Sequence, residues 1–154
     1  MSVKKFAFAL ILLLALLTLC SCERKEEVFF DKDFEATVQY TRLGKEFCAV
    51  YTRGGGCEKI RFISPKSLEN VLATRENGSV TVSFDSLSFT SVSDIFSPFD
   101  LLAVCTAKKS GDNTFISDTG ITVTTLGGTP TGVARGETEL IIAEYRITER
   151  SGTQ

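Results

Sequence analysis

Histidine is absent from all 154 residues of the sequence. With it go the usual general base at neutral pH, the Ser-His and Cys-His nucleophile pairs and the commonest zinc ligand. Cysteine is scarce, at positions 20, 22, 48, 57 and 105, and no two are spaced as Cys-x-x-Cys, so no redox or zinc pair of that type is present. The 17 basic and 19 acidic residues nearly balance and form no basic cluster, which argues against nucleic acid as a partner. No apolar run reaches the roughly 20 residues that a membrane-crossing helix needs. These absences leave no catalytic residue, metal-ligand set or cofactor to nominate, and the expectation is a protein that is not an enzyme.

What is present begins at the start of the chain. Lys4 and Lys5 precede an apolar run from Phe6 to Leu19, which ends in Leu19-Cys20-Ser21-Cys22. A basic start, a short apolar centre and a small-residue exit are the pattern of an export signal. The final four residues resemble the cleavage box of bacterial lipoproteins, with Leu19 three positions before the cysteine and the small Ser21 directly before it. Cys20 fits less well, because bulky Leu19 would then sit where a small side chain is wanted. The resemblance implies that residues 1–21 are a signal-peptide helix that is removed and that Cys22 is acylated. The protein is then exported and held on the bacterial cell membrane or envelope, with the membrane itself as its partner. Each buried CH₂ is worth about 0.8 kcal/mol, so two or three acyl chains anchor far more firmly than one. Residues 22–33 read as a charged, lipidated tether broken only by the apolar patch Val28-Phe29-Phe30. Residues 34–148 read as one β domain and residues 149–154 as a tail.

Turn residues in the domain fix strand registers. A two-residue loop at Leu43-Gly44 pairs Tyr40 with Phe47, Val38 with Ala49 and Ala36 with Tyr51, placing six apolar or aromatic side chains on one face. A loop at Gly55-Gly56 demands positive φ, which glycine supplies without steric cost, and pairs Arg53 with Glu58, Tyr51 with Ile60 and Ala49 with Phe62. Asn77-Gly78 is the strongest hairpin signal and pairs Arg75 with Val80, Ala73 with Val82 and Val71 with Phe84. In each hairpin one face is largely apolar, as in an antiparallel sheet with one solvated side. These registers hold Cys48 and Cys57 too far apart to bond, and Cys48, Cys57 and Cys105 read as buried or edge thiols without chemistry.

Between Ser93 and Lys109 the pattern changes, and Ile95, Phe96, Phe99, Leu102 and Ala103 recur at helical spacing. One short core-facing helix is expected there, with Ser93 as its N-cap and Pro98 bending or separating its first turn. Strand patterns return over 114–117, 120–126, 132–135 and 137–148, the last with Ile141, Ala143, Tyr145 and Ile147 on one face.

The motifs that mimic chemistry have simpler readings. Asp118-Thr119-Gly120 looks like the aspartic-protease triplet, but it sits late in the chain without the family's supporting apolar-apolar-Gly segment, and an Asp-led turn explains it. The stretch from Gly127 to Gly132 lacks the lysine and the following helix of a phosphate loop. Ser2 and Lys5 have the serine–lysine spacing of β-lactam-binding enzymes but leave with the signal peptide. Asp31, Asp33, Glu137 and Glu139 would hold calcium only if they were gathered together, and they read as solvated charge at strand ends.

The fold class expected is mainly β (α+β): a curved antiparallel sheet, a half-barrel of about seven to nine strands, packed around one short helix. Eight strands about 4.8 Å apart span on the order of 35 Å, whereas one helix covers about 10 Å, so a sheet with one oily face must curl or leave a groove. The opening segment from Phe34 to Tyr40, Arg61-Phe62-Ile63-Ser64-Pro65 leading to Leu68, the strand Thr122-Val123-Thr124, the Gly128-Thr129-Pro130 turn and the closing Glu144-Tyr145-Arg146-Ile147 together resemble the LolA, LolB and RseB half-barrel family. The resemblance implies an apolar-ligand or lipid site in the concave face, made from Val38, Tyr40, Tyr51, Phe62, Val82, Phe84 and Tyr145. One alternative is an envelope lipoprotein that acts structurally or by protein interaction, with the same face as filled core; the other is a hydrolase, against which the absent histidine argues.

Overall fold

The computed structural model describes residues 25–42, 44–91 and 97–148. Twelve strands form one antiparallel sheet: β1 (Glu26–Phe29), β2 (Phe34–Arg42), β3 (Lys45–Gly54), β4 (Cys57–Ser64), β5 (Val71–Glu76), β6 (Ser79–Phe84), β7 (Leu87–Ser91), β8 (Cys105–Lys109), β9 (Thr114–Ser117), β10 (Thr122–Leu126), β11 (Thr129–Arg135) and β12 (Thr138–Ile147). A five-residue helix, α1 (Ser97–Leu101), and a 3₁₀ turn at Lys66–Leu68 accompany them. The signal segment, Cys22, the Ser93 cap and the 149–154 tail lie outside the described residues.

Among the described residues the fold is mostly antiparallel β with one α-helix, as expected, but it has more strands. The three additional ones are β1, β7 and β8. Glu26–Phe29 is not free tether: it pairs with β8, and Phe29 and Phe30 are buried, so the domain begins before Phe34. The helix stops short of its sequence pattern at the C-terminal side, and Ile95 and Phe96 of that pattern lie outside the described residues. It ends at Leu101, and Cys105–Lys109 is strand, with alternate residues Cys105 and Ala107 turned inward.

All three hairpin registers are found as read, including Tyr40 opposite Phe47, Tyr51 opposite Ile60 and Val71 opposite Phe84. Two-residue turns leave no slack, so turn chemistry fixes the whole ladder. At Asn77-Gly78 both residues have positive φ, +50° and +79°. The last strand departs from its pattern. A β-bulge between Ile142 and Glu144 inserts one extra residue, so Leu140 and Ile142 point inward before it and Tyr145 after it, while Ile141 faces solvent.

Strand order runs β1-β8-β9-β10-β11-β12-β2-β3-β4-β5-β6-β7. β1 and β2 are consecutive in the chain yet six places apart in the sheet, about 29 Å if it were flat. The five peptide steps from Phe29 to Phe34 reach at most about 18 Å. The sheet therefore curls, and the ring of Phe30, just past β1, packs 5.6 Å from Phe34 and 6.3 Å from Tyr145. Its inner face collects Phe34, Val38, Tyr51, Ile60, Val123, Val133 and Leu140, with Phe99, Leu101 and Leu102 of the helical segment set among them.

Candidate functional site

Side-chain alternation places three charged residues on the buried face. Arg53 lies two positions from Tyr51, Glu58 two from Ile60 and Arg75 two from Ala73, and the registers line them up across β3, β4 and β5. Glu58 is flanked by both guanidinium groups. Its Oε1 accepts from the Tyr51 hydroxyl at 2.6 Å, from Arg53 Nε at 3.1 Å and from Arg53 Nη2, and its Oε2 accepts from Arg75 Nε. The three charged side chains are only 14–19% exposed.

Both arginines reach beyond Glu58 to fasten the helical segment. Arg53 donates to the carbonyls of Phe30 and, at 2.8 Å, Leu102; Arg75 donates to the carbonyl of Phe99 at 2.7 Å. A helix end leaves carbonyls without partners, and cations there also match its dipole. Asp100 extends the network to Arg75 at 3.2 Å and Arg135 at 3.8 Å, joining β5 to β11 through the helix. The guanidinium groups also lie over rings, Arg53 at 5.5 Å from Phe34 and Arg75 at 5.0 Å from Phe99.

Burial alone would raise the Glu58 carboxyl, but the hydrogen bonds from Arg75, Tyr51 and Arg53 prevail and hold it below the usual carboxylate range. Tyr51 moves the other way, raised by burial and by its bond to Glu58. A carboxylate kept ionised by several donors is a poor proton donor at neutral pH. The cluster is built as a clasp that ties the sheet to its plug.

The seven residues expected on the concave face divide into three sets. Val38, Tyr40, Tyr51, Phe62 and Val82 are buried on it, Tyr145 is half-buried beside Phe34, and Phe84 is 42% exposed toward β7. Phe99 meets Tyr51 at 6.2 Å, so the chain itself occupies part of that face. A hollow of about 450 Å³ lies elsewhere, at one end of β2, β3 and β12, and is lined by Gln39, Thr41, Glu46, Cys48, Ser64 and Glu139, with Tyr40 as the one residue shared with the expected set. Another, of about 420 Å³, opens outward beside Arg61, Asn70 and Ser83.

The Asp118 triplet is a turn, with Gly120 at φ +77° and the Ser117 hydroxyl accepting from the Ile121 amide. Gly127 and Gly128 form the two-residue connection from β10 to β11. The backbone carbonyl of Asp33 accepts from the Thr148 amide at one end of β12, whereas Glu137 and Glu139 lie at the other, so the four carboxylates are not gathered. Cys48, Cys57 and Cys105 are free thiols, and burial pushes the Cys105 thiol up.

Sequence reasoning missed Phe30 and the clasp. The available signal was Arg53, Glu58 and Arg75 at inward positions of three adjacent strands.

No protein-family model and no curated protein matches this chain. Among solved structures, the crystal structure of an uncharacterized conserved protein from Thermus thermophilus is similar, with a TM-score of 0.48 and 14% sequence identity over 77% of this chain and 80% of that one.

Proposed function

We propose that the protein is an exported bacterial lipoprotein, held to its membrane by acyl chains on Cys22, whose half-barrel works by contact with protein and performs no catalysis. One observation carries the choice over an open carrier: the face that would hold a small molecule contains the chain's own Phe30, Phe99, Leu101 and Leu102, with the carbonyls of Phe30, Phe99 and Leu102 bonded to Arg53 and Arg75. Opening that face means breaking charge-assisted bonds in a partly buried setting, each worth about 1.5–3 kcal/mol.

The second reading is an apolar-ligand module. It is favoured by the convergence of Val38, Tyr40, Tyr51, Phe62 and Val82 on one face under a helix of only five residues. A lipid would then take the place of the plug.

Native mass spectrometry of the protein purified from its membrane, run alongside the Cys22→Ala chain, separates these readings. The expected spectrum carries a covalent acyl mass that Cys22→Ala removes, and no stoichiometric noncovalent lipid. A one-to-one lipid adduct retained by both chains would replace the contact reading with the carrier reading.

A further inference from the structure

Among the described residues the sheet ends at two edges, β1 and β7, and the two differ. Edge strands invite pairing with another chain, and proteins commonly blunt them with charge, proline or bulges. β1 carries Glu26 and Glu27, with Lys25 bonded to Glu27. β7, Leu87-Ser88-Phe89-Thr90-Ser91, carries no charge and no proline, and its ladder with β6 runs without a bulge. Its register sets Leu87 opposite Phe84 and Phe89 opposite Val82, on the apolar face of the sheet, yet Phe84, Leu87 and Phe89 are 42%, 71% and 59% exposed.

We propose that β7 is the docking edge for β7 of a second copy of this chain, paired antiparallel about a two-fold axis at Phe89. This deepens the protein-contact reading by naming a partner, and it rests on that reading. The register follows from the hairpin. Phe84 and Leu87 flank a two-residue loop and so exchange both hydrogen bonds, as do Val82 and Phe89, which leaves the amides and carbonyls of Ser88 and Thr90 directed outward. Centring the pair on Phe89 sets Ser88 of each copy against Thr90 of the other, so every outward group of these two residues finds a partner. The two Phe89 residues then meet as a non-hydrogen-bonded pair, whose Cα atoms lie about 4.5 Å apart. On the apolar side Leu87 and Phe89 of both copies form one strip. On the opposite side Thr90, which already meets Thr81 through their hydroxyls at 3.0 Å, places only neutral hydroxyl groups beside the partner's Ser88. No like charges oppose one another anywhere along the strand.

The area sets the strength. The exposed parts of Phe84, Leu87 and Phe89 amount to on the order of 300 Å² per chain, taking about 200 Å² for a whole large side chain. Two such patches plus two five-residue backbone edges approach the lower bound of specific interfaces, about 1,200 Å² in total. The dimer is therefore weak and reversible, of a kind that two-dimensional confinement on a membrane favours.

Oxidative cross-linking in membranes of cells expressing the full chain tests the register. Phe89→Cys, and separately the double variant Ser88→Cys/Thr90→Cys, should each give about tenfold more disulfide dimer than the unsubstituted chain, because those pairs fall within the Cα range a disulfide accepts. Ser88→Cys or Thr90→Cys alone should not. The double variant keeps Phe89 in place, so a loss of affinity in Phe89→Cys does not decide the result. Cross-linking no greater than background in both, or equal in the single variants, would overturn the pairing. Repeating the assay with Cys22→Ala scores the edge without the acyl anchor, so failure of the lipid assignment and failure of the pairing give different results.

Discussion

The Tyr51 hydroxyl donates to Oε1 of Glu58 at 2.6 Å. Tyr51 is fully buried, and its ring stacks on Phe34 at 5.3 Å while its hydroxyl joins the Arg53–Glu58–Arg75 row, so one side chain couples the apolar core to the polar clasp. That coupling makes the clasp testable through stability.

Glu58→Gln removes the negative charge between two arginines while nearly keeping the shape. Leaving partly buried cations without their counter-ion is expected to cost about 2–4 kcal/mol. Urea unfolding should report this loss, and exposed Glu76→Gln should be within about 0.5 kcal/mol of the unsubstituted chain. Equal midpoints for the two variants would mean that the clasp adds nothing.

Acid should act through the same carboxyl. The folded-state pKa of Glu58 is lowered, so its contribution is fully present above the ordinary carboxylate pKa and is lost as pH falls through the depressed folded value. Stability measured downward from about pH 5 should therefore fall more steeply in the unsubstituted chain than in Glu58→Gln. Parallel curves would contradict a lowered pKa.

All three tyrosines of the chain are raised. Burial pushes Tyr40 up to about 12 against the pull of Arg42, and burial is also the leading cause for Tyr51 and Tyr145. For raised groups the stabilisation is present below the unfolded value near 10 and is lost as pH rises through the folded one. Ultraviolet titration should show little tyrosinate at about pH 10, where free tyrosine is half ionised, and then ionisation accompanied by loss of structure. Normal titration with the fold intact would disprove the burial of these hydroxyls.

Gly55 and Gly78 have φ of +62° and +79°, and a Cβ at either would meet nothing within 4 Å. The cost of Gly55→Val or Gly78→Val is thus conformational, about 1–3 kcal/mol for a β-branched residue held at positive φ. Gly54→Ala, where the added Cβ makes an ordinary 3.8 Å contact with Asp33 and φ is not positive, is the control and should lose less. Melting temperatures of the three variants measure the difference.

Phe99→Ala tests the plug. Phe99 is fully buried against Tyr51 and Arg75, and its truncation should cost about 3–5 kcal/mol and leave a void on the inner face. A small apolar probe such as benzene should stabilise this variant and not the unsubstituted chain, as read by thermal shift. Equal stabilisation of both would place open apolar space on the native face.

What the sequence disclosed followed from short connections. Asn77-Gly78 and Gly55-Gly56 each dictate a turn geometry, and the turn dictates every pair above it, so Val71–Phe84 and Tyr51–Ile60 could be written down in advance. Segments whose partners are remote were harder to read. Val28-Phe29-Phe30 has no local alternation, and its strand exists because β8, far along the chain, supplies the ladder. Phe99, Leu102 and Ala103 do have helical spacing, but Cys105–Lys109 is drawn into strand by β1 and β9. The bulge at the middle of β12 inverted the faces read for Ile141 because one extra residue carries no compositional mark. The seven residues expected at the site share the inner face and five of them are buried on it, while the clasp that fastens the plug over that face was written in paired charges that local pattern treats as surface.

Two joints of the sheet, β1 with β8 and β12 with β2, bring together strands that are remote in the chain. Strands β2 to β7 and β8 to β12 each grow by neighbour-to-neighbour hairpins, but Tyr40 meets Leu140 only after about 100 residues of chain are gathered, and such distant closure is the slow kind. The wing from β2 to β7 needs no later residue for its own ladder, so it can form while the rest of the chain is still being made. The β1–β8 ladder already ties the first wing to the second, and β12 seals the sheet by pairing with β2, so a truncation before β12 leaves β2 and β11 as bare edges.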